Sequence, residues 1–307
     1  MPELPEVQTT VTGLSRTIIG LKIMDVWTDY NSPYFKGSHT IKDPVYYTYF
    51  RKEVIGKKII GVSRRAKNIL IHLESATHGV VGNTILIHMK MTGHLMYGDY
   101  NRTDPFNRFI HLIWTLSNGK TLELSDMRKF AKVTLLTDAM NNGSMTQSVH
   151  LKGLGPEPLD KKFTFNIFKE RLHTKPHGKI KTILMDQSII SGIGNIYSDE
   201  ALFRAGIHPE KKVSDISNLL LKRLYEVTIF VLKKGIDFGG DSMSDYRNID
   251  GERGKFQGQH QAYRKTGTPC TYTSGTGKNA RKCPGIIQRK VVGGRSAHFC
   301  SVHQKFR

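Results

Sequence analysis

The chain opens with two carboxylates, Glu3 and Glu6, placed close behind a proline, in the sequence MPELPEV. Pro2 is small enough for Met1 to be removed, which would leave a free secondary amine. An α-amine has a pKa of about 7.7–8.0, so a useful fraction is unprotonated at neutral pH. Such an amine can condense with a sugar C1′ to give a cationic iminium, with the carboxylates supplying acid or base functions. The same residues also satisfy helix N-terminal preferences, so a purely structural role stays open.

Three cysteines, Cys270, Cys283 and Cys300, lie near the other end of the chain. Twelve residues separate the first two and sixteen the next two, and His303 completes a Cys-x-x-His pair. An odd cysteine count without an export signal argues against a disulfide framework. Four such ligands around a β-hairpin would make one closed tetrahedral Zn²⁺ site, although the first spacing is unusually wide. Three reduced, buried cysteines and a surface histidine are the alternative.

Positive charge dominates the sequence, with 46 Lys and Arg against 26 Asp and Glu and a formal net charge of +20. After Arg253 there is no acidic residue, whereas that segment carries eleven Lys and Arg. Such an excess is typical of proteins that bind nucleic acid, although a solubilising surface would also produce it. Arg295 follows two glycines, where an arginine suits phosphate or base contacts. A solvated surface arginine is the alternative there.

The bulk composition indicates a globular protein, with 38% hydrophobic and 23% charged residues among 307. No segment approaches the ~18 apolar residues of a membrane span. The N-terminus lacks the basic segment and apolar run of a secretory signal. We therefore expect a cytoplasmic protein without an export signal or a membrane partner.

These candidate residues must be positioned by the elements around them. Apolar residues at helical spacing predict an N-terminal helix ending near Gly20, and they are Val7, Val11, Leu14 and Ile18. Residues 22–137 show short β-rich runs such as NILIHLE and KVTLLTD, and SNGK carries an Asn-Gly hairpin signal. This part of the chain is therefore predicted as an antiparallel β domain with the helix packed on it.

The second half of the chain has a helical texture. GLGPEPLD at 153–160 is typical of a linker, and a long helix is predicted after a cap at Ser214 or Asp215. Its predicted apolar face consists of Leu220, Leu224, Val227 and Val231. A glycine-rich polar segment at 238–259 and the basic cysteine-containing tail follow.

Taken together, these segments resemble one family, the formamidopyrimidine-DNA glycosylases, within the wider group that includes endonuclease VIII. MPELPEV looks like the opening of the family, and SRRAKNIL looks like its strand with a functional lysine. IHMKMTG and DMRKF look like two void-filling loops, and MDQSIISGIGNIYSDEALFRAGIHP is similar to a helix–two-turns–helix element. GGRSAHFC looks like a zinc-finger hairpin. In this order, along most of the chain, the motifs are highly specific.

The resemblance implies an α+β fold with two domains. An N-terminal helix on an antiparallel β-sandwich precedes a helical helix–two-turns–helix domain with a C-terminal zinc-finger-like β-hairpin. The expected boundaries are 1–152 for the catalytic β-sandwich domain, 153–162 for the linker, 163–262 for the helical domain and 263–307 for the hairpin. Residues 238–259 would form a lesion-capping loop within the helical domain.

The resemblance also implies a reaction, namely bifunctional glycosylase and AP lyase chemistry in base excision repair. Pro2 would attack C1′ of an oxidised purine nucleotide, Glu3 would help to open the sugar ring, and Glu6 would hold the intermediate or its proton network. Successive β- and δ-elimination would then excise the sugar. The partner would be double-stranded DNA with an oxidised base or abasic site. The protein itself would be a nucleoid-associated monomer.

Further residues take their roles from the same resemblance. Lys67, counted also among the catalytic residues, would grip phosphates flanking the lesion together with Asn195 and Arg295, and Tyr263 would contact another phosphate. Three more would fill the hole left by a flipped base, and they are Met91, Arg128 and Phe130. For Met91 and Phe130, ordinary core packing is the alternative.

The sequence departs from the family pattern at the cysteine-containing tail, and it leaves two rival functions open. The first cysteine pair is opened by TYTSGTGKNARK, and His303 stands where a cysteine is usual, so the one structural Zn²⁺ would have an atypical site. Leu4 and the long glycine-rich loop favour oxidised purines over the oxidised pyrimidines of endonuclease VIII-like enzymes. A non-catalytic binder of damaged DNA is the rival from another class.

Overall fold

A computed structural model describes residues 1–30, 39–75, 79–99, 107–137, 148–243, 245–275 and 279–306. The chain forms two compact units, each made from two segments. Unit 1 comprises residues 1–152 and 238–255, and unit 2 comprises residues 153–237 and 256–307. Within the described ranges, no helix is long and apolar enough to cross a membrane.

The first helix, α1, spans Leu4–Thr17. It forms because apolar residues repeat at helical spacing behind a proline in the first turn. The predicted face is confirmed, since all of its members are buried: Val7, Val11, Leu14 and Ile18. The helix stops before Gly20, whose φ of 91° is left-handed and favours glycine. α1 thus turns its apolar face to the core and leaves Pro2 just before its first turn.

Two four-stranded antiparallel sheets complete the core of unit 1. The strands are β1 Ile23–Thr28, β2 Ile59–Arg65, β3 Asn68–Glu74, β4 Val81–His88, β5 His94–Gly98, β6 Ile110–Leu116, β7 Thr121–Ser125 and β8 Lys132–Leu136. Their orders are β1-β6-β7-β5 and β2-β3-β4-β8. Residues of α1 and of both sheets share one buried cluster, for example Leu14, Ile71 and Trp114. The predicted helix on an antiparallel β-sandwich is therefore confirmed.

A helix that the sequence did not reveal, α2, spans Pro44–Val54 within the region predicted as β-rich. Asp43 caps it, because its carboxylate accepts hydrogen bonds from the N–H groups of Val45 (2.9 Å) and Tyr46 (3.3 Å). An Asp-Pro pair is a helix-start signal, but the β-branched and aromatic residues that follow disfavour a helix. Phe50 is fully buried, so tertiary packing outweighs that local preference.

The described part of unit 2 contains the helices α3 Phe165–His173, α4 Ile180–Met185, α5 Asn195–Ala205 and α6 Asn218–Asp237. The cap of α6 differs from the prediction, because Ser214 and Asp215 lie in a separate 3-10 turn. Instead, Leu220 N–H donates to Ser217 Oγ (3.4 Å). The buried face is also displaced from the predicted one. It consists of Leu221, Leu224, Thr228, Val231, Leu232 and Gly235.

Two hairpins close unit 2, namely β9 Thr273–Ser274 with β10 Arg281–Lys282, and β11 Ile287–Val292 with β12 Arg295–Cys300. The second hairpin turns at Gly293 and Gly294, whose φ values of 57° and 74° favour glycine. This turn presents the N-terminal end of β12 at a tip. The cysteine-bearing ends lie at the base of the hairpin.

Residues 238–255 group with unit 1, whereas the sequence placed 238–259 in the helical domain. Tyr97 N–H donates to Ile249 O (2.7 Å), and the Ile249 side chain packs on α1 at Gly13. These contacts with β5 and α1 account for the difference, since none of them is visible in local sequence. Ser244 of this segment lies outside the described residues.

Candidate functional site

The N-terminal residues predicted to do chemistry are buried together at the start of α1. Pro2, Glu3 and Glu6 are all buried. Glu3 N–H donates to Glu6 Oε2 (2.7 Å), the contact in which the third helical residue reaches back to the cap. The helix start therefore brings both acids next to Pro2 by local geometry alone.

Glu6 is also held by the 238–255 segment of the same unit. Asp241 N–H donates to Glu6 Oε1 (2.7 Å), so each carboxylate oxygen accepts a backbone hydrogen bond. The Tyr246 hydroxyl donates to the Glu6 carbonyl O (2.9 Å), and burial raises the pKa of Tyr246, which keeps it a donor. Gly240 has a φ of 85°, and a Cβ there would lie 2.9 Å from Glu6 Cγ. The two backbone N–H donors, from Glu3 and Asp241, compensate the buried carboxylate for lost hydration and fix its orientation.

Lys67 lies in the tight turn that joins β2 to β3, and it is only 5% exposed. Ala66 before it has a φ of 53°, a conformation that is uncommon outside glycine. Arg64 ties this turn to α1, because its Nε donates to Gln8 Oε1 (3.0 Å) and its Nη1 donates to Ala66 O (2.8 Å). The turn thus holds Lys67 near the helix that begins beside Pro2.

A neutral histidine lies close to Lys67. His88 pairs with Asn68 across β3 and β4, and burial, reinforced by Lys90 and Lys67, lowers the pKa of His88 to about 3. Lys90 N–H donates to His88 Nδ1 (3.0 Å), which places the imidazole proton on Nε2. His88 therefore adds no positive charge around Lys67 at neutral pH.

Two loops of unit 1 carry the residues predicted to fill a void in DNA. Met91 is half-buried in the turn between β4 and β5, whereas Arg128 and Phe130 are exposed between β7 and β8. The Arg128 guanidinium lies 4.5 Å from the Phe130 ring centroid, a cation–π contact. Phe130 is 45% exposed, so core packing does not describe this ring.

One buried carboxylate, Asp126, links these two loops. Its Oδ1 accepts hydrogen bonds from Thr92 Oγ1 of the first loop (2.5 Å) and from Arg128 N of the second (3.3 Å). Its Oδ2 accepts from Ala131 N (2.6 Å) and from the Tyr30 hydroxyl (3.2 Å). Asp126 therefore fixes the backbone on both sides of the exposed Arg128 side chain and ties it to the neighbouring loop.

In unit 2, the start of α5 meets the start of β12. Asn195 Nδ2 donates to Ser296 Oγ (3.2 Å), and Ser296 directly follows the exposed Arg295. The two predicted phosphate-binding residues Asn195 and Arg295 therefore lie at one place in this unit.

Consecutive acids of α5 hold this arrangement. Asp199 Oδ1 pairs with Lys181 Nζ of α4 (2.5 Å), and its Oδ2 accepts from His298 N (3.0 Å) and Nδ1 (2.8 Å). Glu200 accepts hydrogen bonds from three successive N–H groups, the last of which is Tyr263 N (2.9 Å). Lys181, Asp199 and Glu200 are fully buried, so this network fixes β12 on one side and the Tyr263 segment on the other.

The three cysteine thiols meet at the base of the second hairpin, with all Sγ atoms within 4.8 Å of one another. The Cys283–Cys300 Sγ distance of 3.7 Å suits two ligands of a tetrahedral Zn²⁺ with Zn–S bonds of about 2.3 Å. Burial, with the neighbouring thiols, raises the pKa of Cys270 to about 12, so thiolates there need a cation. This donor set fits a zinc ion.

His303, predicted as the fourth ligand, lies outside this group of thiols in the described residues. Its Nε2–H donates to Phe203 O (2.6 Å), and its ring stacks on Tyr272 with a centroid distance of 3.6 Å. With Nε2 donating to a carbonyl, Nδ1 keeps its lone pair, as metal-bound histidines commonly do. Ligation by His303 stays a prediction.

Two family models match the chain. The formamidopyrimidine-DNA glycosylase N-terminal domain matches residues 1–133, and the formamidopyrimidine-DNA glycosylase H2TH domain matches residues 154–247. The chain belongs to the formamidopyrimidine-DNA glycosylase family. The formamidopyrimidine-DNA glycosylase of Pelotomaculum thermopropionicum is 36% identical over 308 residues and covers 100% of both chains. That of Bacillus subtilis is also 36% identical and covers 98% of both chains.

Solved structures of this family have the same fold. Lactococcus lactis Fpg in complex with DNA containing an abasic site has a TM-score of 0.81 at 30% identity, and the match covers 99% of both chains. The complex of wild-type Lactococcus lactis Fpg with N7-benzyl-Fapy-dG DNA has a TM-score of 0.81 at 31% identity, covering 99% of this chain and 100% of that one. The resemblance and the two-domain α+β class expected from the sequence are confirmed.

The sequence pattern missed the residues that position the candidate site. Asp126 and the acids of α5 fall inside the family motifs quoted above. Their place in those motifs is the one sequence feature that could have identified them. Nothing local marks Asp241 or Tyr246 as partners of Glu6, because Asp241 lies 235 residues further along the chain.

Asp126→Ala should lower the free energy of unfolding by about 3 kcal/mol or more, because four donors lose their buried acceptor. Urea unfolding measures this loss. Asp25→Ala is the matched control, since the Asp25 carboxylate pairs with Arg51 at an exposed position. Its loss should lower the free energy of unfolding by about 1 kcal/mol or less. Equal losses in the two variants would contradict the linking role of Asp126.

The free energy of unfolding should fall as the pH drops from about 6.5 towards 4, in part through His88. Its pKa of about 3 lies below the ordinary 6.5, so the unfolded chain binds a proton that the folded chain excludes. This contribution is complete above pH 6.5 and declines by about 1.4 kcal/mol per pH unit below it. His88→Gln should show a shallower pH dependence in urea unfolding, and identical slopes would refute a neutral imidazole at His88.

Proposed function

We propose that this protein is a bifunctional DNA glycosylase and AP lyase that removes oxidised purines, including 8-oxoguanine and formamidopyrimidines, from duplex DNA. The observation that carries the proposal is the joint burial of Pro2, Glu3 and Glu6 at the start of α1 in a member of this family. The solved Lactococcus lactis complexes contain DNA with an abasic site or N7-benzyl-Fapy-dG, which supports this class of substrate.

The Pro2 nitrogen is the nucleophile once Met1 has been removed. It attacks C1′ of the damaged nucleotide and displaces the base, which breaks the glycosidic bond. The C1′–O4′ bond then opens as O4′ takes a proton, and this second bond cleavage yields the iminium. The iminium draws electrons from C2′, so loss of a C2′ proton expels the 3′ phosphate by β-elimination. A second, δ-elimination expels the 5′ phosphate. The product is a one-nucleotide gap with phosphates at both ends.

Glu3 supplies the acid that helps to open the sugar ring, and Glu6 stabilises the cationic intermediate or its proton network. Stabilising the cationic intermediate suits Glu6, because two backbone N–H groups fix its carboxylate before any cation forms. Lys67 belongs to the same catalytic group and binds a phosphate next to the lesion. Its turn is tied to α1 by Arg64, which supports a fixed position for the ammonium group.

Met91, Arg128 and Phe130 fill the hole left when the damaged nucleotide is extruded, which costs a few kcal/mol of stacking and pairing. The exposed Phe130 ring suits a wedge between base pairs, and the Arg128 guanidinium suits pairing with the orphaned base. Asp126 holds both loops in register for this task.

Asn195, Tyr263 and Arg295 contact DNA phosphates from unit 2. The start of α5 supports this role for Asn195, since backbone N–H groups at a helix N-terminus favour anions. Cys270, Cys283, Cys300 and His303 hold one structural Zn²⁺, which fixes the base of the hairpin whose tip carries Arg295. The protein acts as a monomer on double-stranded DNA.

Borohydride reduction tests the iminium directly on a duplex with one 8-oxoguanine opposite cytosine, with an undamaged duplex as the control. Wild-type protein should give a lesion-dependent covalent adduct that maps to Pro2. Pro2→Gly should keep lesion binding but lose trapping and cleavage by on the order of 10²-fold, as expected on loss of a catalytic group. Pro5→Ala is the control, since it alters the same helical turn and leaves the N-terminal amine unchanged.

The alternative outcomes separate the rival functions. An adduct formed only on an oxidised-pyrimidine duplex would place the protein in the endonuclease VIII-like branch. Tight lesion binding without an adduct on either duplex would identify a non-catalytic binder. Full activity in Pro2→Gly would refute the nucleophile.

Elemental analysis tests the metal site, and wild-type protein should contain one Zn²⁺ per chain. Cys300→Ala should lose the ion and weaken DNA binding, because a structural zinc contributes folding energy to its surroundings. His303→Ala should lower the zinc content if His303 is the fourth ligand. A metal-free wild-type protein would show that the thiols alone form the base of the hairpin.

A further inference from the structure

The segment between Cys270 and Cys283 builds a structure of its own. It is longer than the two to four residues that usually separate paired zinc ligands. Within it, β9 pairs with β10, and Cys283 N–H donates to Tyr272 O (2.9 Å), which closes this hairpin beside the thiols. Residues 276–278 lie outside the described residues.

This hairpin forms one wall of a pocket of about 500 Å³ in unit 2. The stacked rings of Tyr272 and His303 also line the pocket. Four cationic side chains line it from three parts of the chain, and they are Arg223 of α6, Arg281 and Lys282 of β10, and Lys305. No Asp or Glu is among the described lining residues.

We propose that this pocket binds a phosphate group, supplied either by the DNA backbone or by a free phosphate anion. All four cations are exposed, and none forms an ion pair with a carboxylate in the described part of unit 2. Two of them are arginines, whose planar guanidinium donates paired hydrogen bonds to phosphate oxygens. A phosphate anion is the ligand that neutralises this set.

The pocket is separate from the phosphate contact proposed for Arg295. Arg295 begins β12 and Cys300 ends it beside the pocket, so the strand separates the two by five residue steps. At about 3.3 Å per residue, this separation is roughly 17 Å. One phosphate group cannot contact both places across this distance, which corresponds to about five successive phosphates on one DNA strand at about 3.4 Å each.

Two measurements test the pocket, and they distinguish the two sources of phosphate. Isothermal titration calorimetry with inorganic phosphate at low salt measures binding of the free anion. The salt dependence of affinity for an undamaged duplex reports how many DNA phosphates the protein contacts. Only this second measurement rests on the proposed function. Both use the full chain with its zinc content verified, so that a damaged hairpin is recognised.

The test variants are Arg281→Ala/Lys282→Ala and, on a different element, Arg223→Ala. Lys161→Ala/Lys162→Ala is the matched control, because it removes two exposed cations of unit 2 that do not line the pocket. Borohydride trapping at Pro2 on saturating lesion duplex should be unchanged in all of them, which separates failure of the pocket from failure of the enzyme.

We expect phosphate binding to be lost in both pocket variants and kept in the control. If DNA supplies the phosphate, the slope of log affinity against log salt should also become shallower by about 1 in each pocket variant, because one phosphate contact is lost. Loss of phosphate binding with unchanged slopes would assign the pocket to a free anion. Unchanged phosphate binding with unchanged slopes, or equal effects in the control, would overturn the proposal.

Discussion

The structure depends on one physical requirement, which is that a buried carboxylate must be surrounded by hydrogen-bond donors. Glu6 meets it with backbone N–H groups from its own helix turn and from the 238–255 segment, so that segment has to return to unit 1. Gly240 is part of the same solution, because a side chain there would occupy the space next to Glu6. The orientation of the acid beside Pro2 is therefore set by a distant part of the chain.

Other buried carboxylates of the described chain hold neighbouring segments in the same way. Asp126 collects four donors and joins the two loops that carry Met91 and Arg128. In unit 2, Asp199 and Glu200 do the equivalent for β12 and the Tyr263 segment. Because removing one partner of such a network leaves uncompensated polar groups, each acid gives its loop a single geometry.

The strong positive charge has a definite local organisation. Lys67 is buried in a turn, and the nearby His88 is kept neutral by burial and by a backbone N–H donor. Arg295 stands at the tip of one hairpin, whereas Arg281 and Lys282 belong to another at the opposite end of β12. The cations are thus distributed over separate places, which suits a polyanion better than a single small ligand.

The sequence by itself determined much of the local structure and the identity of the reactive groups. The face of α1, the strands of the β-sandwich and the SNGK turn follow from periodicity and turn chemistry, which act between residues close in the chain. It also singled out Pro2, Glu3, Glu6 and the three cysteines, since their types and spacing carry chemical meaning, while their roles stay predictions. Motif resemblance supplied Lys67 and the void-filling residues, which no local pattern would have chosen.

Only the tertiary structure decided which distant residues meet. α2 forms in spite of its β-rich composition because Phe50 is buried, and the face of α6 is displaced because packing, not periodicity alone, selects it. The partners of Glu6, the linking role of Asp126, and the hydrogen bond from His303 to Phe203 O are contacts between remote segments. Such contacts depend on how elements pack together, and one sequence holds no local signal of that arrangement.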